Sequence, residues 1–386
     1  MNNRQRFQAT MHYQPCDRPL LCDFGFWEDT LVVWHDQGLP QDIYFTSEES
    51  NHVEFFGMDF GLDSVMRATD LKVGLEPLFE EKVLEDLGDH VILQQKDGVR
   101  VLRRKFMSSI PQPQSHLLTD RDSWRKYYKP RLDPTYPGRF PPDWEERLKA
   151  WAAFEQQDPL VLPGGSLYGW LRNWMGVENI SYLLYDDPAW FEEMVTTVAD
   201  CIIGSLSRAL ASGVQFDACG MWEDMCYNTG PLMSPRHFKQ YLAPHYRRIT
   251  DLLRRHGVDV IWVDCDGDIQ TLAPLWLEAG VNCMFPIEVG AWGADPIAYR
   301  RRYGRELLIM GAFDKHILQR SRPDIEREVR RLTPLIEEGG YIGFCDHRVP
   351  PDVPLENYLF YLETVREVWA HGIDLKPMKK LAAREA

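Results

Sequence analysis

Short apolar runs alternate with amphipathic stretches along the C-terminal half of the chain. Val258 to Val263 is almost wholly apolar and is framed by Gly257 and by Asp264-Cys265-Asp266-Gly267. A run that short between turn residues predicts a strand buried on both faces. Gly213 to Ala218, Asn282 to Ile287, Glu306 to Met310 and Gly340 to Phe344 read the same way. Phe238, Leu242, Tyr246, Ile249 and Leu253 lie at helical spacing behind Ser234 as N-cap and Pro235 at the first helical position. Pro244 is expected to kink that helix and Gly257 to close it. Further helices should end near Gly280, begin at about Asp295 and at Ser321, and carry Tyr358, Leu362, Val365 and Trp369. Apolar strands alternating with such helices predict an α/β fold with a parallel sheet covered by helices. No GxGxxG follows the first strand, and the spacing of the repeat suits a single (β/α)8 TIM barrel better than a doubly wound sheet.

The N-terminal half carries less periodicity. Arg18 to Phe24 predicts the first barrel strand. His90 to Gln94 and Val99 to Phe106, around Lys96-Asp97-Gly98, predict an exposed hairpin. Residues 111–144, rich in Pro, Arg and Tyr, predict irregular wrapping. Both are expected to be insertions, over about residues 70–145, in one domain spanning 1–386.

Composition narrows the function. Of 386 residues, 44% are hydrophobic and 26% charged, which allows a large core and excludes a disordered chain. The formal net charge of −15 argues against nucleic acid or an anionic membrane as partner. No apolar secretory segment follows Met1, and no run approaches a membrane span. The eight cysteines form no CxxC pair, so neither a disulfide framework nor a zinc knuckle is indicated. A cytoplasmic, reduced enzyme is expected.

In a parallel barrel the residues just after each strand converge on one face. Here they are Glu223, Asp224, Asp264, Cys265, Asp266, Glu288, Asp314, Lys315, Asp346 and His347, seven of the ten being carboxylates. Charges of one sign at short range repel and raise each other's pKa. Either a divalent metal sits among them with His347 as its nitrogen ligand, or protons, Lys315 and Arg348 compensate. Trp27, Tyr168, Trp170, Trp222, Trp262 and Phe313 border the same loops; Trp222 and Trp262 lie closest to the acidic positions and suggest a flat, apolar ligand. Bland readings stand beside these: Asp268 as a helix cap, Cys265 as a small buried side chain, most of the aromatics as core.

These loops resemble the uroporphyrinogen decarboxylase superfamily, which includes the methyltransferases serving cobalamin (corrinoid) proteins. The carriers are Pro163-Gly164-Gly165-Ser166, Gly230-Pro231-Leu232-Met233-Ser234-Pro235, Asp264-Cys265-Asp266-Gly267, Gly311-Ala312-Phe313-Asp314-Lys315, and Gly339-Gly340-Tyr341 through Pro354-Leu355-Glu356-Asn357. The resemblance implies a (β/α)8 barrel. The decarboxylases carry an arginine-rich segment after the first strand that grips propionates. Cys22-Asp23-Phe24-Gly25-Phe26-Trp27 stands there instead, so porphyrinogen decarboxylation is not expected. In the zinc methyltransferases a His-x-Cys-Gly and a late Cys hold the metal. The matching positions here are Asp264, Asp266 and His347, with Glu223 as a further ligand or catalytic group. Oxygen and nitrogen donors make a harder Lewis acid than thiolates do.

The resemblance therefore implies an O-demethylase-like methyltransferase. In it Zn2+ is held by Asp264, Asp266 and His347, with Glu223, Asp314 and Lys315 as catalytic groups. Trp27, Tyr168, Trp222, Trp262 and Glu288 line the substrate, and a corrinoid partner protein accepts the methyl group. Two alternatives stay open: a decarboxylase of a small acid with His347 and Asp314 handling protons, and a non-catalytic ligand-binding barrel. A homodimer also stays open.

Overall fold

A computed structural model describes residues 1–46, 49–105, 110–153 and 155–381. Eight short parallel strands organise it: β1 (Cys22–Asp23), β2 (Phe60–Gly61), β3 (Val161–Gly165), β4 (Ala218–Trp222), β5 (Val260–Asp264), β6 (Cys283–Phe285), β7 (Leu308–Phe313) and β8 (Tyr341–Cys345). β3 to β8 form one six-stranded sheet in chain order, and β1 pairs with β2. Beyond β1 the chain is tied to the segment after β8 by the Phe26–Val349 bridge and the Trp27 and Val349 backbone bonds. On the other side, the short helix Leu62–Arg67 packs against β3, and the Thr69 hydroxyl donates to the Val161 carbonyl. The α/β class expected from the pattern is thus present, with a parallel six-stranded sheet at its centre.

Strand residues alternate between two cores. Cys22, Phe60, Val161, Ala218, Val260, Trp262, Phe285, Met310 and Phe344, drawn from all eight strands, meet in one buried cluster. Phe7 and Met11 of helix α1 (Asn3–Met11) join it from the N-terminal side. The odd-numbered positions, such as Cys219, Met221, Ile261 and Val263, face the surrounding helices in the larger core. Each fully buried Leu, Met or Phe contributes about 1.5–3 kcal/mol, so the inner layer is held firmly beneath the loops that follow the strands.

Several boundaries differ from expectation. Residues 213–217 are not a strand, and β4 begins at Ala218. Ser234 does cap its helix, accepting from the His237 N–H. Pro244 lies inside one helical run over 235–255, at the point where a π-type turn over Phe238–Leu242 gives way to the α-helix Ala243–Arg255. The expected hairpin is the middle of a four-stranded antiparallel meander, Lys82–Asp86, His90–Gln94, Arg100–Arg104 and Gln112–Ser115, with a small core of Val91, Leu93, Val99 and Val101. Phe106, expected in that hairpin, lies outside the described residues. Among the described residues no helix is long and apolar enough to cross a membrane.

Candidate metal site and cleft

At the ends of β4 and β5 the inward alternation continues beyond the strands. On β4 it runs Ala218, Gly220, Trp222 and reaches Asp224; on β5 it runs Val260, Trp262, Asp264 and reaches Asp266. Oxygens of Asp224, Asp264 and Asp266 consequently lie within 4.8 Å of one another. His347 reaches the same group from the loop after β8, its Nε2 3.2 Å from Asp266 Oδ2. The imidazole is stacked on Trp27 at 5.5 Å and met edge-on by Phe24 at 5.6 Å, which fixes its plane. Asp264, Asp266 and His347 are therefore gathered as expected, together with Asp224.

The electrostatics of the group follow from burial. Desolvation, then the neighbouring Asp266, pushes the Asp224 carboxyl up to about 6. Asp264 is raised well above the usual carboxylate range by burial first, and then by Asp224 and Asp266. No lysine or arginine is ion-paired with the three carboxylates among the described residues; Arg348 is bound to Asp63 at 2.8 Å, and Arg172 donates to the Asp224 carbonyl at 2.7 Å. Asp224 has φ +40°, a left-handed conformation that is unusual outside glycine and costs on the order of 1 kcal/mol or more. The Arg172 bond and the Asp266 N–H, which donates to Asp224 Oδ1 at 3.2 Å, hold it there.

The other expected residues take different parts. Glu223 faces away from the group and is fully buried. Its Oε1 accepts from the Leu167 N–H and the Tyr246 hydroxyl, and its Oε2 from the Ser166 hydroxyl and the Tyr168 and Gly169 N–H groups, all at 2.6–3.0 Å. With every acceptor position engaged it serves as an anchor for the loop after β3, not as a ligand or base. Lys315 Nζ lies 3.3 Å from Asp346 and 3.7 Å from Glu288. Asp346 also accepts from the Val289, Gly290 and Lys315 N–H groups, and Glu288 from the Gly267 N–H at 2.8 Å. Lys315 offsets part of the charge of this second acidic group, which ties the loops after β5, β6, β7 and β8 together. Asp314 caps the turn Lys315–Gln319 and contacts His316 at 3.0 Å.

Beside the carboxylates opens a cleft of ≈ 600 Å³, walled by Trp170, Trp174, Trp222 and Leu75 and floored by Gly165 and Gly220. Trp222 is in register with Asp264 across the β4–β5 pair, so adjacent strand ends carry the cleft wall and the carboxylate group. Trp262 lies in the inner core, where its ring packs so closely on Gly220 that a Cβ there would fall 2.5 Å from it. Tyr168 is fully buried in the outer core. Neither reaches the cleft wall, so both move from substrate contact to core. Trp174 is an addition to the expected residues; Asp224, expected on this face but not as a ligand, joins the metal group, and alternation along β4 would have marked it rather than Glu223.

Comparison with known proteins follows this geometry. The family model described as uroporphyrinogen decarboxylase (URO-D) matches residues 172–368. The uroporphyrinogen decarboxylase of Colwellia psychrerythraea is 26% identical over 200 residues, covering 49% of this chain and 52% of that protein. That of Methylococcus capsulatus is 27% identical over 195 residues, covering 49% and 52%. The chain thus spans about half the length of the curated relatives it matches. Among solved structures, a methyltransferase from Methanosarcina mazei aligns with a TM-score of 0.57 at 14% identity, over 95% of this chain and 99% of that one, a likeness of fold.

Proposed function

Because the chain belongs to the uroporphyrinogen decarboxylase (URO-D) family, we propose that it is a (β/α)8-barrel methyltransferase that demethylates a small methoxylated aromatic in favour of a corrinoid protein. The observation that carries the reading is the close approach of Asp224, Asp264 and Asp266 without an ion-paired lysine or arginine among the described residues. Three half-buried carboxylates so placed repel one another unless protons or a cation intervene. The donor set, three oxygens with an imidazole alongside, fits zinc or a harder divalent ion. When bound, such an ion supplies Lewis acidity to the ether oxygen as negative charge develops on it.

The chain's own residues do the rest. Trp222, Trp170 and Trp174 offer flat apolar faces to an aromatic ring, with Trp222 next in register to Asp264. Trp27 and Phe24 orient His347, and the Arg172 and Asp266 bonds keep Asp224 in its unusual backbone conformation. The segment Cys22 to Trp27 packs on His347 and carries no arginine, so no grip on propionates is available there.

A second reading, a lyase acting on a small acid, is favoured by the raised pKa of Asp264, since desolvation and the neighbouring Asp224 and Asp266 favour the protonated form of a carboxyl placed to donate to a carbanion. The two are separated by assaying methyl transfer from a methoxybenzoate to reduced cobalamin, and carbon dioxide release from the same compound, with and without chelator. The methyltransferase reading expects chelator-sensitive transfer that falls about 100-fold in Asp264→Asn, the scale of lost metal-site support. Chelator-resistant carbon dioxide release with no transfer would replace it by the lyase.

A further inference from the structure

The imidazole of His347 hangs from the loop after β8, but the rings that set its plane, Phe24 and Trp27, belong to the segment after β1. β8 ends the six-stranded sheet and β1 is paired with β2, so a seam separates the two loops. Val349 spans the seam through its backbone. Its N–H donates to the Gly25 carbonyl at 3.1 Å, and its carbonyl accepts from the Trp27 N–H at 3.2 Å. Arg348, between His347 and Val349, spans it through its side chain.

The Arg348 guanidinium meets two rings, its carbon 4.7 Å from the centre of Phe24 and 4.9 Å from that of Phe45. Its Nη2 donates to Asp63 Oδ2 at 2.8 Å, and both side chains are largely buried. Asp63 stands in the first turn of the helix Leu62–Arg67, directly after β2. A planar cation suits this place because it can stack on aromatic faces while its N–H groups hold a carboxylate. Gly25, at φ +82°, leaves room for the arrangement, since a Cβ there would collide with the Phe45 ring. We infer that Arg348 is a positioning residue: by clasping Phe24, Phe45 and Asp63 it holds the loop after β8 against the segments after β1 and β2, and so keeps His347 Nε2 at 3.2 Å from Asp266. Its consequence for metal retention rests on the proposed metal site; its geometry does not. Loss of the guanidinium leaves Asp63 without its partner and Phe24 without the group that it packs on, and Phe24 is one of the two rings that fix the imidazole.

Crystals of the metal-free protein and equilibrium dialysis with zinc test this. Arg348→Met keeps the length of the side chain and loses its charge and its plane. In that variant His347 Nε2 should lie beyond hydrogen-bond reach of Asp266, and zinc should bind about 10-fold more weakly, the scale of lost outer support at metal sites. Arg348→Lys, which can still meet Asp63 but cannot stack as a plane, should bring both readings back towards the wild type. If Arg348→Met does not fold, Asp63→Asn, which removes the anchoring charge at nearly constant size, makes the same prediction. An arginine with a merely structural role would lower the melting temperature and leave both readings of the folded protein unchanged, and that result would overturn the assignment. A wild type that takes up no zinc would defeat the metal reading instead, and the place of the imidazole in the metal-free crystals would still decide this one.

Discussion

Glu223 and Asp224 are consecutive, chemically alike, and assigned opposite work by the strand before them. Period-two alternation sends Asp224 to the inner mouth and Glu223 to the outer layer, where five donors surround it. Glu223→Gln puts an NH2 group against N–H donors. It should cost about 2–4 kcal/mol in a urea melt, the penalty of leaving buried groups unsatisfied, yet leave metal content per folded molecule unchanged. Asp264→Asn should do the reverse. Removing one of three repelling carboxylates should stabilise the metal-free protein by about 1–3 kcal/mol while abolishing metal retention. Proton competition sets the pH range of retention. The Asp224 carboxyl is pushed up to about 6 and Asp264 is raised well above the usual carboxylate range, so bound metal should fall steeply as pH drops below about 6, measured by equilibrium dialysis.

At the level of elements, the sheet was legible because buried parallel strands are continuous apolar runs, and every β5-to-β8 segment was found within a few residues. Strand 213–218 was set too early because Val214 and Phe216 are apolar, although these residues only lead up to β4. The meander was legible only as its central hairpin, since Lys82–Asp86 is exposed along its whole length and shows no alternation. Trp262 and Tyr168 were misassigned because nearness in sequence to an acidic loop says nothing of direction. One is drawn into the inner core and the other into the outer core.

Helix α1 adds a pH-sensitive brace. His12, at its C-terminal end, contacts Asp259 at 3.0 Å just before β5. The Asp259 bond raises the His12 pKa above 6.5, and the His12 bond lowers that of Asp259 below 3.8. The His12 contribution is therefore full below pH 6.5 and lost as pH rises through its folded value. The Asp259 contribution is present above pH 3.8 and lost as pH falls through its own. The stability difference between the wild type and His12→Ala should peak between about pH 4 and 6.5 and shrink by pH 9. It should stay under about 1 kcal/mol, because the pair is partly exposed.

For the whole molecule, the inner cluster from eight strands and the small core of the meander are different in kind. Met310→Ala should lower global stability by about 2–5 kcal/mol, whereas Val101→Ala should loosen the meander alone, seen as faster amide exchange confined to residues 82–115. That division matters for function, since the rigid inner layer is what holds residues distant in the chain at one point. The group of Lys315, Glu288 and Asp346 knits four loops around that point, while Asp224, Asp264 and Asp266 have no ion-paired lysine or arginine among the described residues. The most direct test is anomalous diffraction from crystals of the protein as purified and after zinc addition. A single peak bounded by Asp224, Asp264, Asp266 and His347 is predicted, and its loss in Asp264→Asn. A mouth that stays free of metal after zinc addition, with the three carboxylates hydrogen-bonded to one another through shared protons, would contradict it.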